Sequence, residues 1–359
     1  MTIAFRVDAS PQIGIGHFMR CLTLADAFKK RGSHVRFISR HMPDHLQNIL
    51  GEREHEFVRL NSMHGKAVTG NLPHAHWLGT SQSEDAQDTT QALSDQNWDW
   101  LVVDHYALDA HWETVLRNTA KRILAIDDVA DRQHNCDVLL DQNIYLDMET
   151  RYMGKVPKHC KLLLGPRYAL LREEFFHLRA SMNKRDGSVR RLLVLFGGID
   201  AENQTEKAIH AIAQLQGRSF DVDVVIGAQH PARGEIEVSC KRHGYQCHVQ
   251  TPDVAELMAK ADLAIGASGS TSWERCCLGL PTICLTHATN HVAIAEGLQA
   301  RGAIVNLGDC ASISTAGLSR ALLRLIEQPD QLVSMSIVSS KLVDGKGIYR
   351  VCECVLKAA

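Results

Sequence analysis

Three short turns in this chain combine glycine, hydroxyl, imidazole and carboxylate groups in an order suited to holding an anion and moving a proton. The first is Gly14-Ile15-Gly16-His17, set between an apolar run and an amphipathic stretch. Gly14 and Gly16 let backbone amides come close to a ligand, and a helix start adds positive potential. His17 falls in the first turn of that helix, where the dipole disfavours imidazolium and keeps a neutral base available. A purely structural histidine is the alternative. No third glycine follows, so the fingerprint of a dinucleotide site is incomplete. The second turn is Phe196-Gly197-Gly198-Ile199-Asp200, where Gly197 and Gly198 permit close approach and Asp200 can cap a following helix. The third is Gly266-Ala267-Ser268-Gly269-Ser270-Thr271-Ser272-Trp273-Glu274. Ser268, Gly269, Ser270 and Thr271 offer amides and hydroxyls to a phosphate without a metal. Glu274 is placed to accept hydrogen bonds from a ribose diol; a serine-rich capped turn is the alternative. No G-K-[ST] follows a glycine loop anywhere.

Other polar groups end apolar runs. Val102-Val103 leads to Asp104-His105-Tyr106, a carboxylate, an imidazole and a phenol together. Asp127-Asp128 ends a similar run, where paired acids serve equally well as helix caps. Asn290 follows the run 281–286.

These groups need a scaffold, and the apolar pattern predicts one. Residues 3–8 read as a strand. Phe18, Cys21, Leu22, Ala25 and Phe28 form the stripe of an amphipathic helix, and 34–39 read as the next strand. A right-handed crossover makes the two strands parallel. Further strands are expected at 100–103, 122–126, 138–140 and 162–164. A second series is expected at 192–196, 221–226, 247–249, 263–265, 282–285 and 303–307, with helices at 202–215, 254–260 and 318–326. Residues 61–96 are polar and read as a long loop carrying one helix at 84–93. The basic stretch 179–191 is the best linker candidate. The expected architecture is α/β: two Rossmann-like doubly wound domains, 1–164 and 165–359, facing a cleft, with ligands at the carboxyl ends of the strands.

Composition narrows the class. The 359 residues are 45% hydrophobic and 22% charged, as in a folded globular protein, and the length suits two cores. Lys+Arg 39 against Asp+Glu 41 leaves a net charge of -2, so nucleic acid and anionic membranes lose their usual electrostatic attraction. Aromatics at 6% leave few stacking platforms for single strands. No apolar run approaches a membrane span, and the N-terminus reads as a strand with no signal-peptide core. The 11 cysteines show no C-x-x-C spacing and read as reduced structural thiols, and the 19 histidines include no H-E-x-x-H. A cytoplasmic, monomeric protein without bound metal is expected.

The segments R-V-D-A-S-P-Q-I-G-I-G-H-F-M-R-C-L-T-L-A, V-V-D-H-Y, L-R-E-E-F, F-G-G-I-D and S-G-S-T-S-W-E-R-C-C-L-G-L-P occur in this order between residues 6 and 290. Together they resemble the UDP-2,4-diacetamido-2,4,6-trideoxy-β-L-altropyranose hydrolases of pseudaminic acid biosynthesis, a family similar in fold to MurG-type glycosyltransferases (glycosyltransferase-B). The resemblance implies hydrolysis of a UDP-sugar with inversion, without metal or cofactor. It implies His17 as general base, Tyr106 as active-site tyrosine, Glu274 and Asn290 as binding residues, and a site role for Arg172. Asp104 then orients His17 or a sugar amide. A glycosyltransferase using a UDP-sugar donor is the alternative. The chain departs from shorter members of that family in 61–96 and beyond Asn306.

Overall fold

The computed structural model describes residues 1–61, 71–198, 200–215, 217, 220–286 and 289–357, leaving aside the side chains of residues 289 and 290. Thirteen strands and thirteen α-helices fall within these residues. The strands of the first half are β1 (Thr2–Val7), β2 (His34–Ser39), β3 (Glu56–Arg59), β4 (Trp98–Asp104), β5 (Ala120–Ile126), β6 (Val138–Asp141) and β7 (Lys161–Leu164). Its helices are α1 (Gly16–Lys29), α2 (Asp44–Glu52), α3 (Gln82–Ala92) and α4 (Ala110–Leu116). The second half has α5 (Glu173–Ser181), β8 (Arg191–Leu195), α6 (Gln204–Ala213), β9 (Asp221–Ile226), α7 (Arg233–His243), β10 (Gln246–Val249) and α8 (Val254–Lys260). It continues with β11 (Leu263–Ala267), α9 (Thr271–Cys277), β12 (Thr282–Thr286), α10 (Thr289–Ala300) and β13 (Val305–Asp309). The chain then forms α11 (Thr315–Ile326), α12 (Pro329–Leu342) and α13 (Gly347–Lys357).

All strand pairings are parallel, in the order β3-β2-β1-β4-β5-β6-β7 in one sheet and β10-β9-β8-β11-β12-β13 in the other. Two doubly wound α/β units follow from this order. In each sheet the chain leaves the first strand to one side and later returns to its other side. The switch points therefore lie between β1 and β4 and between β8 and β11, and ligands of such sheets bind beyond the carboxyl ends there. Helices cover both faces, so the strands are apolar almost throughout, and β1, β2 and β4 are buried nearly end to end. One face of the first sheet packs Phe5, Phe18 and Phe37; the other packs Leu101, Trp112 and Leu139. Leu192, Val224, Ile265 and Leu322 belong to the core of the second. No helix among the described residues is long and apolar enough to cross a membrane.

The division of the chain differs from 1–164 and 165–359. The first unit comprises Met1–Asn143, Asp147–Leu170 and Gly347–Ala359; the second comprises Ile144–Leu146 and Leu171–Lys346. The last helix returns because α13 carries an apolar stripe, Ile348, Val351, Cys352 and Val355, that joins the core containing Phe18 and Leu22. Residues 179–191, expected to be a linker, lie inside the second unit. Their charges serve helix ends: Arg179 donates to the carbonyls of Cys277, Ser340 and Val343, and Arg185 to those of Met258, Ala261, Leu278 and Gly279. Both arginines thus satisfy carbonyls that helix geometry leaves open.

Smaller differences have local causes. β3 shows no strand pattern in the sequence because it is a short, half-exposed edge strand with a charge at each end, Glu-Phe-Val-Arg. Helix α6 starts at Gln204 and not at 202, because Asp200 accepts from the amides of Gln204 and Thr205 and Asn203 accepts from Glu206. Within 61–96, residues 62–70 lie outside the described residues. The remainder holds α3, closed by a Ser81–Glu84 capping box, and a short 3₁₀ turn, Ala75–Trp77.

Candidate active site

The first site is built on the switch point between β1 and β4. After β1 the chain makes a tight loop, with the Gly14 amide donating to the Ser10 carbonyl at 2.7 Å, and enters α1 at Gly16. Neither glycine has a neighbour within 4 Å of where a Cβ would stand, so both border open space. His17 comes next, one-tenth exposed, with its Nδ1 2.6 Å from Asp104 Oδ1 at the carboxyl end of β4. Arg20 Nη2 also stands 3.2 Å from Nδ1, but the 2.6 Å contact to a carboxylate, which can only accept, is the shorter and places the proton of the neutral ring on Nδ1 and its lone pair on Nε2. No described residue hydrogen bonds to that Nε2.

Arg20, one turn along α1, fixes Asp104 in turn. Its Nε donates to Oδ2 at 2.6 Å and its Nη2 to Oδ1 at 2.7 Å, a two-pronged pair. Its Nη1 reaches Asp128 Oδ2 at 2.9 Å. Burial by itself would raise the Asp104 pKa, but the Arg20 and His17 side chains hold this carboxyl well below the usual carboxylate range. It is therefore a fixed negative charge behind the imidazole. Tyr106 donates its hydroxyl to Asp128 Oδ1 and presents its ring to the His17 edge, centroids 4.7 Å apart. Burial, followed by the Asp128 charge, pushes the Tyr106 phenol well up, so it stays protonated as a donor. Asn143 Nδ2 also donates to Asp128, at 3.1 Å.

The structure brings together His17, Asp104 and Tyr106, all singled out in the sequence, with Arg20, which was not, and Asp128, which the sequence left open as a helix cap. Their signals were present: Arg20 stands three positions after His17 on one helix face, and Asp128 follows two residues after β5, the strand paired with β4. His105, from the same run as Asp104, is fully buried and its Nε2 lies 3.3 Å from Asp8 Oδ2, within an internal cluster with Arg6 and Asp85.

The second group of residues belongs to the switch point between β8 and β11. Gly266 is dictated by packing: a Cβ there would stand 2.2 Å from the Leu195 carbonyl oxygen and 2.7 Å from Arg275 Nη1. Buried Arg275 donates to the Ala267 carbonyl and to Ser272 Oγ, clamping the turn that follows β11. Ser268 is fully buried and donates to the His291 carbonyl at 3.0 Å, so its hydroxyl ties the turn to α10. Ser270 is exposed and Thr271 half-exposed at the start of α9. Glu274 is half-buried on α9, and burial raises its carboxyl pKa against the pull of Arg172, whose Nη2 lies 3.8 Å away. Arg172 also pairs with Glu174 at 2.9 Å. Gly197 and Gly198 follow β8, and a Cβ on either would meet nothing within 4 Å, although the Gly198 backbone packs against Gly227. Asn290 lies in the first turn of α10, and its side chain is outside the described residues.

The chain is 30% identical over 365 residues to the spore coat polysaccharide biosynthesis protein SpsG of Bacillus subtilis, covering 98% of this chain and 96% of that protein. The chain belongs to the SpsG family. The chain is also 24% identical over 304 residues to the UDP-2,4-diacetamido-2,4,6-trideoxy-β-L-altropyranose hydrolase of Campylobacter jejuni, covering 84% of this chain and 97% of that enzyme. Against an uncharacterized protein of Methanocaldococcus jannaschii, the match is 23% identical and spans 55% of that protein's length. No family model matches the chain. In fold, the SpsG-family chain matches the crystal structure of Acinetobacter baumannii MurG with a TM-score of 0.68 at 13% identity, covering 99% of each.

Proposed function

We propose that this protein hydrolyses a UDP-linked diacetamido-trideoxyhexose to UDP and the free sugar, with inversion at the anomeric carbon. The observation that carries the reading is the His17–Asp104–Arg20 arrangement, which fixes one imidazole tautomer and leaves Nε2 free to accept a proton. Similarity to the C. jejuni hydrolase supplies the substrate class.

In the proposed reaction, His17 Nε2 takes a proton from water as the water oxygen bonds to the anomeric carbon. The bond from that carbon to the diphosphate oxygen breaks at the same time, and UDP leaves with the electron pair. Attack opposite the leaving group inverts the centre. Asp104 stabilises the imidazolium that forms, and Tyr106, held by Asp128, orients the water or the sugar. We assign the nucleotide to the second unit. Glu274 takes the ribose diol, Arg172 and the amides and hydroxyls around Gly269, Ser270 and Thr271 meet the diphosphate, and Gly197, Gly198 and Asn290 complete the binding residues. Charge on the departing phosphate is then met by the protein's own donors, so turnover is expected to survive EDTA.

A glycosyltransferase is the second reading, favoured by the MurG likeness. It would use the same base on an acceptor hydroxyl. Incubating the purified protein with the UDP-sugar and no acceptor, and following the reaction by NMR, separates the two. Release of UDP with the free sugar first appearing as the inverted anomer is the expected result. No release without an added acceptor overturns hydrolysis, and loss of turnover in EDTA, restored by magnesium or manganese, overturns the metal-free assignment.

A further inference from the structure

The polar segment before α3 brings a tryptophan to the base. Trp77, in the short turn Ala75–Trp77, stacks on Tyr106 with ring centroids 5.5 Å apart and planes at 28°. His74 closes the corner, 4.6 Å from the Trp77 ring and 5.2 Å from Tyr106. The His17 ring stands edge-on to both, 4.7 Å from Tyr106 and 6.4 Å from Trp77. Four rings thus make one wall with the base at its edge.

Trp77 is not needed there for the core. Its neighbour Leu78 supplies the anchor, 1% exposed among Ala86, Leu93 and Leu101, whereas the Trp77 ring is left half-exposed. Two residues on, Gly79 has φ +71, a conformation that favours glycine, and packs against His41, where a Cβ would fall 2.6 Å from its Nε2. The Ser81–Glu84 capping box then starts α3. A partly buried indole stacked on Tyr106 beside a general base is a platform for an apolar ligand face.

We propose that Trp77, backed by Tyr106 and His74, is a specificity-determining platform for the sugar, packing against the C–H face and the acetamido and deoxy methyl groups of a diacetamido-trideoxyhexose. The assignment rests on the function proposed above. A base acts within hydrogen-bond reach of the attacking water, so the sugar ring must lie within a few ångströms of His17 and therefore against this wall. Sugars with a hydroxyl in place of each methyl-bearing group would lose the apolar contact, so the wall selects the deoxy, acetylated sugar.

The test compares wild type, Trp77→Ala and Trp77→Phe for Kd of UDP, Kd of the UDP-diacetamido-trideoxyhexose, and kcat and KM. Expected is an unchanged Kd for UDP, a Kd and KM for the UDP-sugar raised about tenfold in Trp77→Ala, and a smaller rise in Trp77→Phe. Should the alanine variant not fold, Trp77→Leu, which keeps an apolar filler against Tyr106, carries the same expectation. Equal UDP-sugar affinity in all variants, with wild type turning over, overturns the platform and leaves the hydrolase standing. A wild type that neither binds nor hydrolyses the UDP-sugar overturns the hydrolase, and the platform with it.

Discussion

At the scale of single residues, the chemistry depends on which nitrogen of His17 carries the proton. Asp104, 2.6 Å from Nδ1, decides this, and Arg20 holds Asp104 by two hydrogen bonds. Replacing His17 with Asn removes the base, and such losses cost about 10²–10⁴-fold in rate. Turnover should fall by that much while Kd for UDP stays constant, because the nucleotide contacts are assigned elsewhere. Asp104 acts through His17 and touches no reacting atom, so it is a positioning residue. Asp104→Asn should lower kcat, yet the double variant should be no slower than His17→Asn alone. Multiplying losses in the double variant would show that Asp104 acts separately from the imidazole, and a near-normal His17→Asn would make the histidine structural.

Between elements, two joints control the parts that carry the sites. Gly266 lets β11 run against β8, with the Leu195 oxygen 2.2 Å from where a Cβ would stand. Gly266→Ala must push the strands or Arg275 aside, at a cost of about 2 kcal/mol or more. Calorimetry should show a Tm lower by roughly 5 °C, together with weakened UDP binding. An unchanged Tm would mean that the turn can back away freely. The other joint is His134, whose Nδ1 lies 2.7 Å from Glu113 on α4 and whose Nε2 lies 3.7 Å from Asp127 after β5. Burial opposes the charged ring, but Asp127 and Glu113 outweigh it and raise its pKa to about 9. The ordinary imidazole value is about 6.5. A raised folded value stabilises fully below about pH 6.5, and the stabilisation is lost as pH climbs through about 9. The loss is about 3 kcal/mol. Denaturant melts from pH 6 to pH 9.5 should show this decline in wild type and a flatter profile in His134→Asn; parallel profiles would remove His134 as its source.

At the scale of the molecule, the first unit is made from both ends of the chain. Val351, Cys352 and Val355 of α13 are fully buried and Ile348 nearly so, in the core that also holds Phe18, Leu22 and Phe28. Burying each large aliphatic side chain contributes about 1.5–3 kcal/mol, so the helix supplies about 5 kcal/mol or more. Whole domains are stable by only about 5–15 kcal/mol. Deleting residues 347–359 should therefore unfold the first unit or leave it molten, seen as loss of dispersed NMR signals from its residues, while those of Leu171–Lys346 persist. A truncated chain with native signals from α1 would show that the helix is dispensable.

The alternation of strands and helices is legible in the residues alone, because a parallel sheet covered on both faces needs continuous apolar strands and one-sided helices. The same pattern puts His17, Asp104, Tyr106 and the Gly266–Glu274 turn near strand ends, where such a sheet leaves polar groups open at its switch points. The sequence's silence on Arg20 and Trp77 has a different cause. An arginine on a helix reads as a solvated surface group, and a tryptophan in a polar segment reads as a loop residue, until the fold brings Asp104 from β4 and Tyr106 after it to meet them. The domain boundary was hidden for the same reason. Arg179 and Arg185 suggest a solvated linker by composition, yet they fold back onto carbonyls at the ends of helices distant in sequence. The apolar stripe of α13 shows that the helix is buried but not which core receives it. Long-range partners are chosen by packing among elements already formed, and only the tertiary structure holds that information.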